Sequence, residues 1–435
     1  MHSAFRPTAR TSPPPSAPAR KQSAAPTIRR FTNARLLRGH ALVEDEDLWV
    51  CGGVIIDPQV LFWDGRTADE TIDCEGNIIS PGFIDLQLNG GFGADFSTPT
   101  GVREALSTVA RGVLQHGVTA FLPTLICSSA DVYRSIIPEI VPRSGSTDGA
   151  AILGVHLEGP FISPQKPGCH PIEHVLEPDG QPRALERACG DHLSHVKLVT
   201  LAPELPGAAM LIAELKSRGV VVSAGHSMAT IEEFEKAQLA GVTMCTHLFN
   251  AMPPFKPEDP GLIGVLGSTA DPAAFFGLIA DGIHVHPASL KIAANARPRS
   301  VILVTDAMAA MGLQPGRCCL GGVDVNVLET GEAYRYGTET LAGATVPLDE
   351  CLRRYLRYTR ASLVDVLEAA TLHPAQVLGI QEVKGSLEVG CDADLTFLDE
   401  QLNVTRCYVG GELAWDASAA PGAAAVAQGG TVEAS

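Results

Sequence analysis

The sequence predicts an α/β protein, a (β/α)8 TIM-like barrel with a small β-sandwich domain formed by its N- and C-terminal flanks. Three observations lead there. Apolar runs of strand length alternate with helix-like stretches through the middle of the chain. Short β-like runs split by turn residues occur at both ends. Polar groups able to bind a metal or move a proton stand just after several of the apolar runs. A parallel strand covered on both faces reads as such a continuous apolar run.

The predicted barrel strands are Phe83–Leu88, Ala120–Leu125, Ile152–Leu157, Val196–Leu201, Val220–Ala224, Thr243–Thr246, Phe275–Ile279 and Val301–Val304. Helix-like stretches between them include Val102–Gln115, Ala208–Arg218, Ile231–Leu239 and Pro287–Ala296. Repeated βα units imply a parallel sheet. A doubly wound open sheet would also satisfy that rhythm. The closed barrel is preferred because candidate groups follow strands three, five, six, seven and eight, and a closed ring brings all five to one face.

The flanking runs are Ala34–Leu37, Leu48–Val50, Gly53–Ile56 and Glu70–Ile72 at one end, and Leu395–Leu398, Val404–Val409 and Glu412–Trp415 at the other. Each set is too short to fold alone, so the two are expected to pair. The expected organisation is a sandwich of residues 29–80 plus 385–416 around a catalytic barrel of 81–384, with disordered tails at 1–28 and 417–435. The first tail holds Pro13-Pro14-Pro15, several Arg and Ser, and no acid before Glu44, a composition that cannot bury a core. A transit peptide is its sharper reading, opposed by the proline run, which would break an amphipathic helix.

With 435 residues, 45% hydrophobic and 19% charged, the chain is long enough for a large buried core. Its net charge of −17 argues against nucleic-acid or anionic-membrane partners. A small phosphorylated substrate is still allowed, because one cavity can be locally positive. The eleven cysteines form no C-x-x-C pair and are odd in number, which suggests reduced thiols in a cytoplasmic protein. No apolar stretch approaches the roughly 18 residues of a membrane span.

Glu158, in His156-Leu157-Glu158-Gly159-Pro160, ends the third predicted strand. His226 follows the fifth and His247 the sixth. Two imidazoles and a carboxylate make a three-ligand metal site with an open position, the pattern of catalytic zinc. Such an ion brings the pKa of bound water to about 7. Asp306, after Val301–Thr305, is placed to act as a general base that takes a proton from water and returns it to a leaving amine. His284 and His170 stand either as substrate contacts or as ordinary surface histidines. His116, His192, His195 and His373 have no partner in view and read as structural.

The segments Pro81–Asp95, His156–Phe161, Thr246–Met252 and Val304–Met308, in this order, resemble the N-acetylglucosamine-6-phosphate deacetylase family of the amidohydrolase superfamily. The resemblance spans about Phe31 to Trp415. It implies deacetylation of N-acetylglucosamine 6-phosphate by one divalent metal ion per subunit held by Glu158, His226 and His247. Zn2+ is the expected ion, and Fe2+, Co2+ and Mn2+ suit the same donors. The wider superfamily opens with His-x-His after the first strand. Here that place reads Gln87-Leu88-Asn89, and amides are poor ligands.

The resemblance further implies that Asp306 is the catalytic aspartate and that His170 polarises the acetamide. Asn250, Ala251, Cys169 and His284 match substrate contacts, and Leu341-Ala342-Gly343 matches a loop over the substrate. A homodimer is implied as well. One position departs from the family. Glu258, in Phe255-Lys256-Pro257-Glu258-Asp259-Pro260-Gly261, stands where the resemblance implies a phosphate-gripping arginine that reaches in from the neighbouring subunit. A glutamate repels a phosphate dianion, so an unphosphorylated or different N-acetyl amino sugar is the alternative substrate, and Lys256 is a candidate replacement cation. A non-catalytic binding barrel is the alternative from another class.

Overall fold

The computed structural model describes residues 26–270 and 272–419; most of the two expected disordered tails lies outside them. Eight parallel strands form the central sheet: β1 (Phe83–Leu88), β2 (Val118–Leu125), β3 (Val155–Glu158), β4 (Val196–Leu201), β5 (Val221–Ala224), β6 (Val242–Cys245), β7 (Phe275–Ile279) and β8 (Val301–Val304). They neighbour one another in chain order, and a short strand, Ala151–Ile152, runs beside β2 just before β3. All eight predicted strands are present, and the open-sheet alternative fails because β8 returns to β1.

That closure has two parts. At the C-terminal ends, Asp306 N donates to Gln87 O (2.8 Å) and Asn89 N to Ala307 O (2.8 Å). At the other end a chain segment is wedged between the strands: Ile84 N donates to Ala370 O (2.8 Å) and Leu303 N to Ala369 O (2.9 Å). Buried Asp85 pins the same seam by accepting the Thr305 hydroxyl at 2.6 Å. Burial pushes its carboxyl up to about 7, with these hydrogen bonds opposing the shift.

Strand alternation divides the core. Val155, Leu157, Val199, Leu201, Val301 and Leu303 pack outward beneath the helices, while Leu198, Ile302 and Val304 belong to a separate cluster with Ile84, Leu86 and Met244. Because both faces are covered, the strands read as unbroken apolar runs. The helix Ile231–Ala240 starts at a capping box in which Glu233 N donates to Thr230 Oγ1 (3.2 Å) and Thr230 N to Glu233 Oε2 (2.8 Å).

The two flanks pair as expected. A six-stranded sheet joins C-terminal strands Glu412–Asp416, Val404–Val409 and Leu395–Leu398 to N-terminal strands Ile78–Pro81, Arg35–Arg38 and Ala41–Val43, the seam lying between Leu395–Leu398 and Ile78–Pro81. A four-stranded sheet holds Val54–Ile55, Leu48–Cys51, Ile28–Thr32 and Glu70–Asp73. Between the sheets Phe31, Phe397 and Tyr408 meet with ring centroids 5.1–5.7 Å apart.

A three-stranded antiparallel sheet, Gly316–Leu320, Val323–Val327 and Ala333–Arg335, follows β8; the sequence reading did not include it. Its apolar face (Leu320, Val325, Val327 and Ala333) packs with Ile126, Cys169, Met308 and Ala342. No helix among the described residues is long and apolar enough to cross a membrane. All eleven cysteines are free thiols, eight of them buried.

Candidate active site

One cavity opens at the C-terminal ends of the barrel strands. It is lined by Glu158, Cys169, His170, His226, His247, Asn250, Ala251, His284, Asp306, Leu341 and Gly343, together with Asn89, Leu320 and Thr340. The three expected metal ligands converge. Glu158 Oε1 lies 3.1 Å from His226 Nε2 and 3.0 Å from His247 Nε2, and the two ring nitrogens are 3.0 Å apart.

Backbone conformation aims these groups. His226 (φ 48°), His247 (φ 27°) and Asp306 (φ 49°) each stand two residues past the end of their strand, in the left-handed region. A non-glycine residue held there costs about 1–3 kcal/mol, a strain the surrounding fold must sustain. Gly225, just before His226, permits the close approach: a Cβ on it would lie 2.7 Å from Thr246 Cβ and 2.9 Å from Thr200 Cγ2.

The donor set fits a cation. His226 Nδ1 lies 2.8 Å from the Lys166 carbonyl, so its proton sits there and the Nε2 lone pair faces Glu158. A lone pair pointing at a carboxylate oxygen at 3.1 Å is repulsive unless a cation lies among them. Glu158 is 2% exposed, and an uncompensated buried carboxylate costs several kcal/mol. Burial would raise its pKa, yet the imidazoles of His226 and His247 hold it well below the usual range. Burial likewise opposes protonation of His247, and the Glu158 carboxylate overcomes it and raises that pKa.

Asp306 is separately prepared. Asn89 Nδ2 donates to its Oδ1 at 2.7 Å, and Gln87 Nε2 donates both to that oxygen (3.2 Å) and to Glu158 Oε1 (3.0 Å). Of the two amides in the place of His-x-His, Gln87 therefore bridges the two carboxylates and Asn89 holds Asp306. Burial, then the nearby charge of Glu158, pushes the Asp306 carboxyl up to about 6.

His170 and His284 are cavity residues, which removes the surface reading of both. His170 is 3% exposed, and its Nδ1 accepts from Cys127 N at 3.2 Å, leaving Nε2 to carry the proton. Burial, then His226, pushes its pKa down to about 3, so the ring is a neutral N–H donor. His284 Nδ1 faces Asp281 Oδ2 at 2.6 Å, while Ile283 N and His284 N donate to Asp281 Oδ1 at 2.8 Å each.

The remaining expectations divide. Ala342 is fully buried behind the wall and does not line the cavity. Glu258 and Lys256 are exposed and are not among the lining residues. Of the histidines read as structural, His116 bonds Asp349 at 2.9 Å and His373 bonds the Val301 carbonyl at 2.7 Å, and none of the four lines the cavity. Sequence reasoning missed Asp281 as the partner of His284, although the run Asp281-Gly282-Ile283-His284 carried the signal. It also missed Lys166, which acts through its carbonyl and leaves no trace in residue type.

Comparison with known proteins agrees with this geometry. Residues 78–414 match the amidohydrolase family. The N-acetylglucosamine-6-phosphate deacetylase of Bos taurus is 50% identical over 398 residues, covering 90% of this chain and 96% of the relative. That of Homo sapiens is 48% identical over 403 residues, covering 92% and 98%. The crystal structure of the Pasteurella multocida N-acetylglucosamine-6-phosphate deacetylase superposes with a TM-score of 0.79 at 29% identity, over 89% of this chain and 99% of that one. The chain belongs to the amidohydrolase family and, within it, to the N-acetylglucosamine-6-phosphate deacetylases.

Proposed function

We propose that the protein hydrolyses the acetamide of N-acetylglucosamine 6-phosphate, consuming one water and releasing acetate and glucosamine 6-phosphate. The observation that carries this reading is the convergence of Glu158, His226 and His247 beside an aspartate with a raised pKa, in one cavity at the barrel mouth. The family is metal-dependent, and these three residues would hold the ion. We assign one ion per subunit, with Zn2+ the first choice for two imidazoles and a carboxylate. When bound, it would polarise the carbonyl and acidify water to a pKa of about 7.

The chain's own groups supply the remaining steps. Asp306 accepts a proton from the attacking water and later gives it to the departing amine nitrogen as the C–N bond breaks. Its pKa is about 6 without the ion and a nearby cation lowers it, so at neutral pH the carboxylate is ionised and ready to accept the proton. His170 Nε2–H donates to the acetamide oxygen as negative charge develops there. Asn89 and Gln87 fix the Asp306 carboxylate, so it cannot swing to pair with the cation. His284, Asn250, Ala251 and Cys169 contact the sugar, and Leu341 and Gly343 close over it. A homodimer in the cytoplasm completes the assignment, the latter in keeping with eleven free thiols.

The test is acetate release from N-acetylglucosamine 6-phosphate and from N-acetylglucosamine, each before and after chelation and metal return. Metal-dependent turnover favouring the phosphorylated sugar is expected. Equal turnover of both sugars would overturn the substrate, and turnover that survives chelation would overturn the chemistry.

A further inference from the structure

The cavity that is to receive a phosphate dianion has no lysine or arginine among its lining residues, and the chain as a whole carries a net charge of −17. A dianion entering such a protein needs a cation at the rim. Lys256, Glu258 and Arg335 all sit outside the lining, so a cation must reach the cavity from its rim, and what separates the candidates is the element that carries each one.

The three-stranded sheet after β8 offers another group. Arg335 is exposed at the end of its last strand, directly opposite Val325, which lies in the cluster that packs against Cys169. Residues opposite each other in an antiparallel pair share a face, and so do residues two apart on one strand. Arg335 therefore shares the cavity-side face with Val325 and Ala333. On its other side Arg335 N donates to Thr340 O at 2.8 Å, and Thr340 lines the cavity. Among the described residues its guanidinium makes no ion pair, unlike those of Arg183, Arg187, Arg353 and Arg354.

We infer that Arg335 is the cation that grips the substrate's phosphate at the cavity rim, a specificity-determining contact supplied by the same chain; this rests on the substrate being a sugar phosphate. The guanidinium forms two parallel hydrogen bonds to phosphate oxygens, a geometry that a lysine cannot reproduce. Its reach into the site is already visible in the Cys169 thiol. Burial, Asp306 and Glu158 push that thiol's pKa up to about 12, and the charge of Arg335 pulls against them.

The experiment compares kcat/KM for N-acetylglucosamine 6-phosphate with that for N-acetylglucosamine in the full-length, metal-loaded protein and in R335A, R335K and K256A. In R335A the ratio of the two is expected to fall roughly 10- to 150-fold, the worth of a charge-assisted hydrogen bond, with the change in KM. R335K recovers part of it. An unchanged ratio in R335A, an equal loss on both sugars, or a larger fall in K256A would each overturn the assignment. A wild-type ratio near one would instead sink the sugar-phosphate reading itself, so the two failures are told apart before any variant is made.

Discussion

The two walls of the cavity are built differently. One is made by the ends of the barrel strands: Glu158 closes β3, and His226, His247 and Asp306 stand two residues beyond β5, β6 and β8. The other is made by inserted chain: Leu320 from the sheet after β8, and Thr340, Leu341 and Gly343 from the segment that follows it. The strand ends are locked by barrel hydrogen bonds on both sides, so they can hold left-handed backbone and buried charge. The inserted wall is fixed mainly by apolar packing and one hairpin edge. On the proposed assignment all of the chemistry lies on the first wall, while the second serves recognition alone, and substitutions on each should have different kinetic signatures.

The largest effect is expected at Glu158. In Glu158→Gln one anion leaves the metal group, and breaking such a buried charge arrangement costs on the order of 3–5 kcal/mol. Metal content of the purified protein should drop with activity, and retention of a stoichiometric ion would contradict the ligand assignment. Asp306→Asn comes next: it should keep the ion and lower kcat by about 10²- to 10⁴-fold, the usual worth of a positioned general base. Near-normal turnover with metal bound would remove Asp306 from that role. The same carboxylate fixes the pH dependence. It must be ionised to accept a proton, so activity falls as the pH drops through its pKa. That pKa is about 6 without the ion, and a nearby cation lowers it, so the acid limb of kcat/KM belongs at or below about 6. An acid limb well above 6 that persists in Asp306→Asn would belong to another group.

Asp281→Asn is expected to act more mildly. The residue touches no cavity space but holds His284 Nδ1 at 2.6 Å, so weakening that bond should raise KM by roughly fivefold, about 1 kcal/mol, with little change in kcat. A fall in kcat at constant KM would mean that His284 serves the chemistry rather than binding.

The same division explains what the sequence made legible. The strand-end residues were readable because a buried parallel strand is an unbroken apolar run, and a His, Glu or Asp directly after it has few alternatives. Pro287–Ala296 was predicted with its observed ends, since Pro at the first turn marks a helix start. The inserted sheet was missed although part of it was readable. Val323–Val327 (Val-Asp-Val-Asn-Val) alternates apolar and polar residues after the two-residue turn Gly321-Gly322, whereas Gly316–Leu320 (Gly-Arg-Cys-Cys-Leu) carries no such alternation. Gln87 and Asn89 lay between these cases. Their residue types made them poor metal ligands, but that Gln87 ties Asp306 to Glu158 and Asn89 holds Asp306 follows only from the closure of β1 against β8.

The mildest catalytic effect should come from the inserted wall, in Leu320→Ala. Leu320 is 1% exposed, lines the cavity and packs within the cluster beneath the three-stranded sheet. Removing a buried leucine side chain costs about 2–5 kcal/mol of stability where the site cannot collapse. That loss falls on the insert, because no hydrogen bond to Glu158, His226, His247 or Asp306 passes through Leu320. The expected result is a KM raised severalfold, a kcat within about twofold of wild type and unaltered metal content, the pattern of lost uniform binding. A kcat loss comparable to that of Asp306→Asn would mean that the insert orients the reacting groups, and the separation of the two walls would fail.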